Sequence, residues 1–126
     1  MRTTSGRDWQ ARVMGDTGSD ATGTYAPANY IGLTANSTAP SSGNASLSGE
    51  ITTGTLARAQ ATYAHTDGTD SYTLSKTFVS DQAVTVAKIG IFNAPSGGTM
   101  SFVSLLDTPA VMVSGDQLSI VSTIVI

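Results

Sequence analysis

Residues Leu56–Val79, LARAQATYAHTDGTDSYTLSKTFV, decide the fold class. From Leu56 to His65 the small residues Ala57, Ala59 and Ala61 alternate with Arg58, Gln60 and Thr62, and Tyr63 follows. A period of two turns one set toward a close-packed face and the other away from it, which is the pattern of a strand. Thr66-Asp67-Gly68-Thr69 supplies the turn, since Asp-Gly between strands accepts the positive φ of a tight hairpin. Tyr72, Leu74, Lys76 and Phe78 then alternate with Ser71, Thr73, Ser75 and Thr77. Residues 57–79 therefore read as a β-hairpin.

On the N-terminal side, Tyr30–Thr34 is a short apolar strand, followed by the turn formers of Pro40–Asn44 and a further strand over Leu47–Ile51. On the C-terminal side, Val84–Phe92 is nearly continuous in apolar residues. It therefore reads as a strand buried on both faces, with a close approach at Gly90. After the turn at Asn93–Gly98 come Met100–Leu106, a break at Asp107-Thr108-Pro109, a short piece at Val111–Val113 and the turn Ser114-Gly115-Asp116. The last strand, Leu118–Ile126, sets Leu118, Ile120, Ile124 and Ile126 against Val121 and Val125. So apolar a strand is expected at the centre of a sheet or sealed against a neighbouring subunit. The sum is an all-β chain, a compact antiparallel sandwich or barrel of about eight strands over residues 28–126. Residues 1–27 show neither helical nor strand periodicity and read as an extended N-terminal arm.

Composition agrees with this class. The chain has 126 residues, one domain's worth. Charged residues are 12% of it, about half the usual share, while 19 Thr, 16 Ser and 13 Gly supply polarity without charge. A single Glu and two Lys exclude a helix bundle. The net charge of −3 leaves no basic face for nucleic acid. The absence of Cys removes disulfides and thiolate sites. No run approaches the roughly 18 apolar residues of a membrane span, and the polar N-terminus has no signal-peptide core, so synthesis in the cytoplasm of the producing cell is expected. The sequons at Asn36 and Asn44 then read as chance in a Ser/Thr-rich chain.

Groups suited to chemistry are few. His65 is the lone imidazole, at a strand end beside a turn, and it is expected to make ordinary hydrogen bonds there. A glycosidase-type carboxylate pair would need Glu50 and an Asp, but most Asp residues stand in turns, where they cap backbone groups. Asp67 and Asp70 lack the spacing of a calcium loop, and the glycines form no phosphate-binding motif. The reading is a non-enzyme with no cofactor and no metal. Trp9, flanked by Arg7 and Arg12, stands out in a polar segment with no local core. It reads either as an anchor on a partner surface or as a cap folded back on the chain's own sandwich. Tyr25, before Ala26-Pro27, is a second candidate contact.

Tyr25–Thr34 (YAPANYIGLT), Ala57–Thr66 (ARAQATYAHT), Tyr72–Phe78 (YTLSKTF), Thr85–Ala94 (TVAKIGIFNA) and Gly115–Ile120 (GDQLSI) together resemble small virion proteins of tailed bacteriophages. The resemblance covers about residues 25–126 and is greatest to capsid decoration, or cement, proteins. It implies a structural protein on the capsid surface that bridges capsomers, with the major capsid protein and copies of itself, as a homotrimer, for partners. Similar β modules occur in tail fibres and baseplates, so the alternative is a module of tail assembly or host attachment. A carbohydrate-binding module is a weaker third possibility, because aromatic residues are only 6% of the chain.

Overall fold

A computed structural model describes the backbone of residues 1–15 and 27–125 and the side chains of residues 1–11 and 27–125. Tyr25 and the side chain of Arg12 lie outside the described residues. In chain order the elements are α1 (Thr4–Gly15), β1 (Tyr30–Thr34), a 3-10 turn (Gly54–Leu56), β2 (Ala59–Gln60), β3 (Thr62–His65), β4 (Ser71–Val79), β5 (Val84–Phe92), β6 (Met100–Met112) and β7 (Gln117–Val125). The strands form two antiparallel sheets, ordered β2-β1-β5-β6 and β3-β4-β7. Between them lies the main core, which includes the fully buried Ile31, Leu33, Leu56, Leu74 and Val86. The fold is thus the all-β sandwich expected. It has seven strands among the described residues rather than about eight, and neither sheet closes into a barrel.

The hairpin forms where the alternation places it, with Thr62 opposite Ser75 and His65 opposite Tyr72. Gly68 holds φ at 86° in the turn, a conformation that costs a residue with a Cβ. The expected single strand upstream is instead two pieces in different sheets. Ala59 and Gln60 pair with β1, the Ala61 amide donates to the Asn29 carbonyl at 2.7 Å, and Thr62 begins the other sheet. A period of two reports which residues share a face. It does not report a change of sheet, and here the small, buried Ala61 carries the chain across.

Three further expectations need correction. Leu47–Ile51 makes only an isolated bridge, Glu50 to Thr34, because Leu47 turns to join Phe92, Met100, Val103 and Tyr30 in a second small core. Met100–Met112 is one continuous strand. Asp107-Thr108-Pro109 is absorbed in a register shift, in which Val86 pairs with Ala110 and Lys88 with Leu105, so proline sits where the ladder is already irregular. The last strand is at an edge of its sheet, which excludes the first of the two places expected for it, the centre, and leaves the second, against a neighbouring subunit; Ile120 and Ile124 are buried and Val121 and Val125 lie outside. By contrast, β5 is buried along Val86–Phe92 and lies between β1 and β6, as its apolar run implies. At Gly90 an added Cβ would lie 2.9 Å from Phe92 Cε2 and 3.0 Å from Met100 Sδ.

The N-terminal segment is not extended over residues 1–15. Met1–Thr3 lies along the β6 edge, with the Val103 amide donating to the Met1 carbonyl at 2.9 Å and the Thr3 amide to the Ser101 carbonyl at 3.0 Å. Helix α1 then starts with Thr3 as its N-cap, the Thr3 hydroxyl oxygen accepting from the Gly6 amide at 2.9 Å. A Cβ on Gly6 would collide with the Ser101 backbone, so glycine lets the first turn press onto β6. The sequence hides this helix because its stretch, TSGRDWQARVMG, is rich in weak helix formers, and tertiary contact with β6 supplies what propensity lacks.

Candidate interaction site

Helix α1 brings Trp9 to the main core, where it is half-buried against the sandwich. The β3–β4 hairpin brings Tyr63 and Tyr72 to the same place, their ring centroids 5.5 Å apart and tilted by 44°. With Leu74 and Pro27–Asn29 these rings line a cleft of about 410 Å³. Burial raises the pKa of the Tyr72 phenol, and the neighbouring Tyr63 adds to the rise while Arg2 opposes it. Tyr63 remains 58% exposed. Rings and aliphatic walls suit an apolar or flat group, and the cleft offers little for acid–base chemistry. Arg7, in the first turn of α1, is exposed to solvent. The sequence singles out Trp9. It does not reveal that Tyr63 and Tyr72 join it, because the three meet in one cleft only once the helix has docked on β6.

The sequence reading also misses a half-buried ion pair. Arg58 donates from Nε to Glu50 Oε2 at 2.8 Å and from Nη2 to Oε1 at 2.7 Å, and its Nη1 reaches the carbonyls of Ala94 (3.0 Å) and Gly97 (2.8 Å). The guanidinium carbon lies 3.4 Å from the Phe92 ring centroid. Arginine suits this position because a planar fork can pair with a carboxylate edge-on while stacking on a ring. At Gly32 a Cβ would come within 2.7 Å of Glu50 Oε2, so the missing side chain makes room for the carboxylate. Glu50 is therefore a structural pin between the 47–51 segment and the 94–97 turn. A signal was present in the sequence, since this is the only Glu in the chain.

Other polar groups also have structural partners. Lys88, buried on β5, donates to Asn36 Oδ1 and to the Thr38 carbonyl, each at 3.0 Å, and fastens the loop after β1. His65 Nδ1 is 2.8 Å from the Ser71 carbonyl across the end of the hairpin, an ordinary strand-end hydrogen bond as expected. Among the described residues no group of three or more His, Asp and Glu is placed to hold a metal ion.

The outer face of the three-stranded sheet is the broadest candidate contact surface. Cross-strand register puts Thr62 and Ala64 of β3, Ser71, Thr73, Ser75, Thr77 and Val79 of β4, and Gln117, Ser119, Val121, Thr123 and Val125 of β7 on one side. None of these twelve positions is charged. The Thr77 and Ser119 hydroxyls pair across it at 3.0 Å. A flat face of hydroxyl and β-branched side chains with no charge to desolvate can be covered by another surface at low electrostatic cost.

A model of the family described as Gp80: Podophage GP4 fiber I protein gp80 matches residues 9–125. No curated protein and no solved structure matches the chain.

Proposed function

The chain belongs to the Podophage GP4 fiber I protein gp80 family of phage virion proteins, and from that premise we propose that it serves as a non-catalytic structural module of a tail fibre. The observation that carries this reading is the reach of the family match, which runs from Trp9 through β7 and so takes in the whole sandwich. Such a module acts through its surfaces. Arg7, Trp9, Arg12 and Tyr25 are its proposed contacts with a neighbouring fibre or baseplate protein. The few groups capable of chemistry, Glu50, Lys88 and His65, are engaged in holding the fold.

The second reading is a capsid decoration protein, a homotrimer on the major capsid protein, favoured by the segment resemblance from Tyr25 to Ile120. Copy number separates the two. Quantitative mass spectrometry of purified virions, with gold-labelled antibody against the chain, is expected to find few copies relative to the major capsid protein and label on the tail. Copies in the hundreds with label on the head would replace the fibre reading with the decoration one. The Trp9→Ala variant is expected to load poorly into virions while keeping its circular dichroism spectrum.

A further inference from the structure

The four sheet edges of this sandwich are not equally protected. The β2 edge is two residues long and the β3 edge four. The β6 edge is covered near Phe102 by the N-terminal residues, through the Arg2–Phe102 bridge, and is interrupted further on by the irregularity at Asp107–Pro109. Shortness, covering, proline and bulges are the usual means of keeping an edge from pairing with another chain. The β7 edge has none of them. Its nine residues, QLSIVSTIV, hold no charge, proline or glycine, and they run in unbroken register with β4 from Gln117 to Val125. Among the described residues no strand pairs with its other side.

We propose that β7 is a self-association edge, pairing antiparallel with β7 of a second copy about a two-fold axis at Val121. Val121 is the middle residue of the strand, so full-length pairing sets it opposite its own counterpart, with Ser119 opposite Thr123 and Gln117 opposite Val125. On the inward face, Leu118 meets Ile124 of the second copy. Beside this edge runs a groove of about 290 Å³ whose lining includes Arg2, Phe102, Ser122, Ile124 and Val125. A strand added to β7 turns its inward side chains toward that groove.

Charge supports the same register. Asp116 immediately precedes β7, and antiparallel pairing carries it to the far end of the partner strand. Arg2 lines the groove beside Val125 at that end, so the register brings an acidic and a basic residue to the same end of the contact, twice over by symmetry. The contact is one strand about 30 Å long. It falls short of the area of a standard interface, about 800 Å² per partner, so association is expected to depend on concentration. It joins two three-stranded sheets into one of six strands and extends the charge-free outer face. This inference does not depend on whether the protein sits on the tail or the head.

The test is sedimentation equilibrium on the full chain and two variants. Val121 is 69% exposed, so Val121→Lys and Val121→Glu are expected to keep the fold, as monitored by circular dichroism. Wild-type protein is expected to reach the dimer mass as concentration rises. Each variant alone is expected to associate at least about tenfold more weakly, because like charges face each other across the axis. An equimolar mixture of the two is expected to restore the dimer. A wild-type protein that stays monomeric, a Val121→Lys variant that associates like wild type, or a mixture that fails to recover would each overturn the proposal.

Discussion

In the four-stranded sheet, β5 is buried at seven consecutive positions, Val86–Phe92, whereas β7 in the three-stranded sheet buries only Ile120 and Ile124. The first sheet has a core on both faces. One is the main core, and the other is the small cluster of Leu47, Phe92, Met100 and Val103. Around it stand the Glu50–Arg58 pair, the buried Lys88 and the N-terminal segment. The second sheet has one buried face and one open face of hydroxyls and valines. One side of the molecule is thus organised for rigidity and the other is left available for contact, although both are built from strands of similar length. The cause is local. Phenylalanine, methionine and valine on the outer side of the first sheet attract a covering segment that carries Leu47, while serine and threonine on the outer side of the second do not.

This contrast can be broken most severely from within the first sheet. Leu33→Ala empties a fully buried position on β1 and is expected to cost about 2–5 kcal/mol in chemical denaturation. That is much of the stability of a domain this size. The same truncation at the exposed Thr77 of the second sheet is expected to change little, within about 0.5 kcal/mol. Arg58→Met keeps the bulk over Phe92 but leaves the Glu50 carboxylate without its fork. It is expected to cost about 2 kcal/mol and to raise amide exchange in the 94–98 turn. Among the variants expected to destabilise the fold, the mildest is at the N-terminal residues that cover the β6 edge. Thr3→Ala removes the N-cap and the 2.5 Å hydrogen bond to the Met100 carbonyl, for a loss of about 1 kcal/mol. Hydrogen exchange at the Val103 amide, which is bonded to Met1, reads whether the edge has been uncovered.

The aromatic cleft and the ion pair show where sequence reading stops. Trp9 is conspicuous in a polar stretch, and its partners Tyr63 and Tyr72 are visible in the hairpin, but nothing in their spacing joins positions more than fifty residues apart. Arg58 occupies an alternating position that reads as solvent-facing, yet it points into a site formed by Glu50, Phe92 and two turn carbonyls. Helix α1 is missed for a related reason. Its residues have little intrinsic preference for a helix, and the N-cap at Thr3 has meaning only once β6 is beside it.

By itself, the sequence determined the all-β class, a hairpin turning at Asp67-Gly68, read as residues 57–79 and formed over 62–79, the burial of β5 and the poverty of chemical groups, because period, turn residues and composition are local properties of a chain. Only the tertiary structure decided which strand joins which sheet, that β7 stands at an edge, that Glu50 is a pin and that three aromatic rings share one cleft. Those are long-range pairings, chosen by which surfaces of the whole chain can be buried together. Period-two alternation is the same on either side of Ala61, so only packing decides where the chain crosses from one sheet to the other.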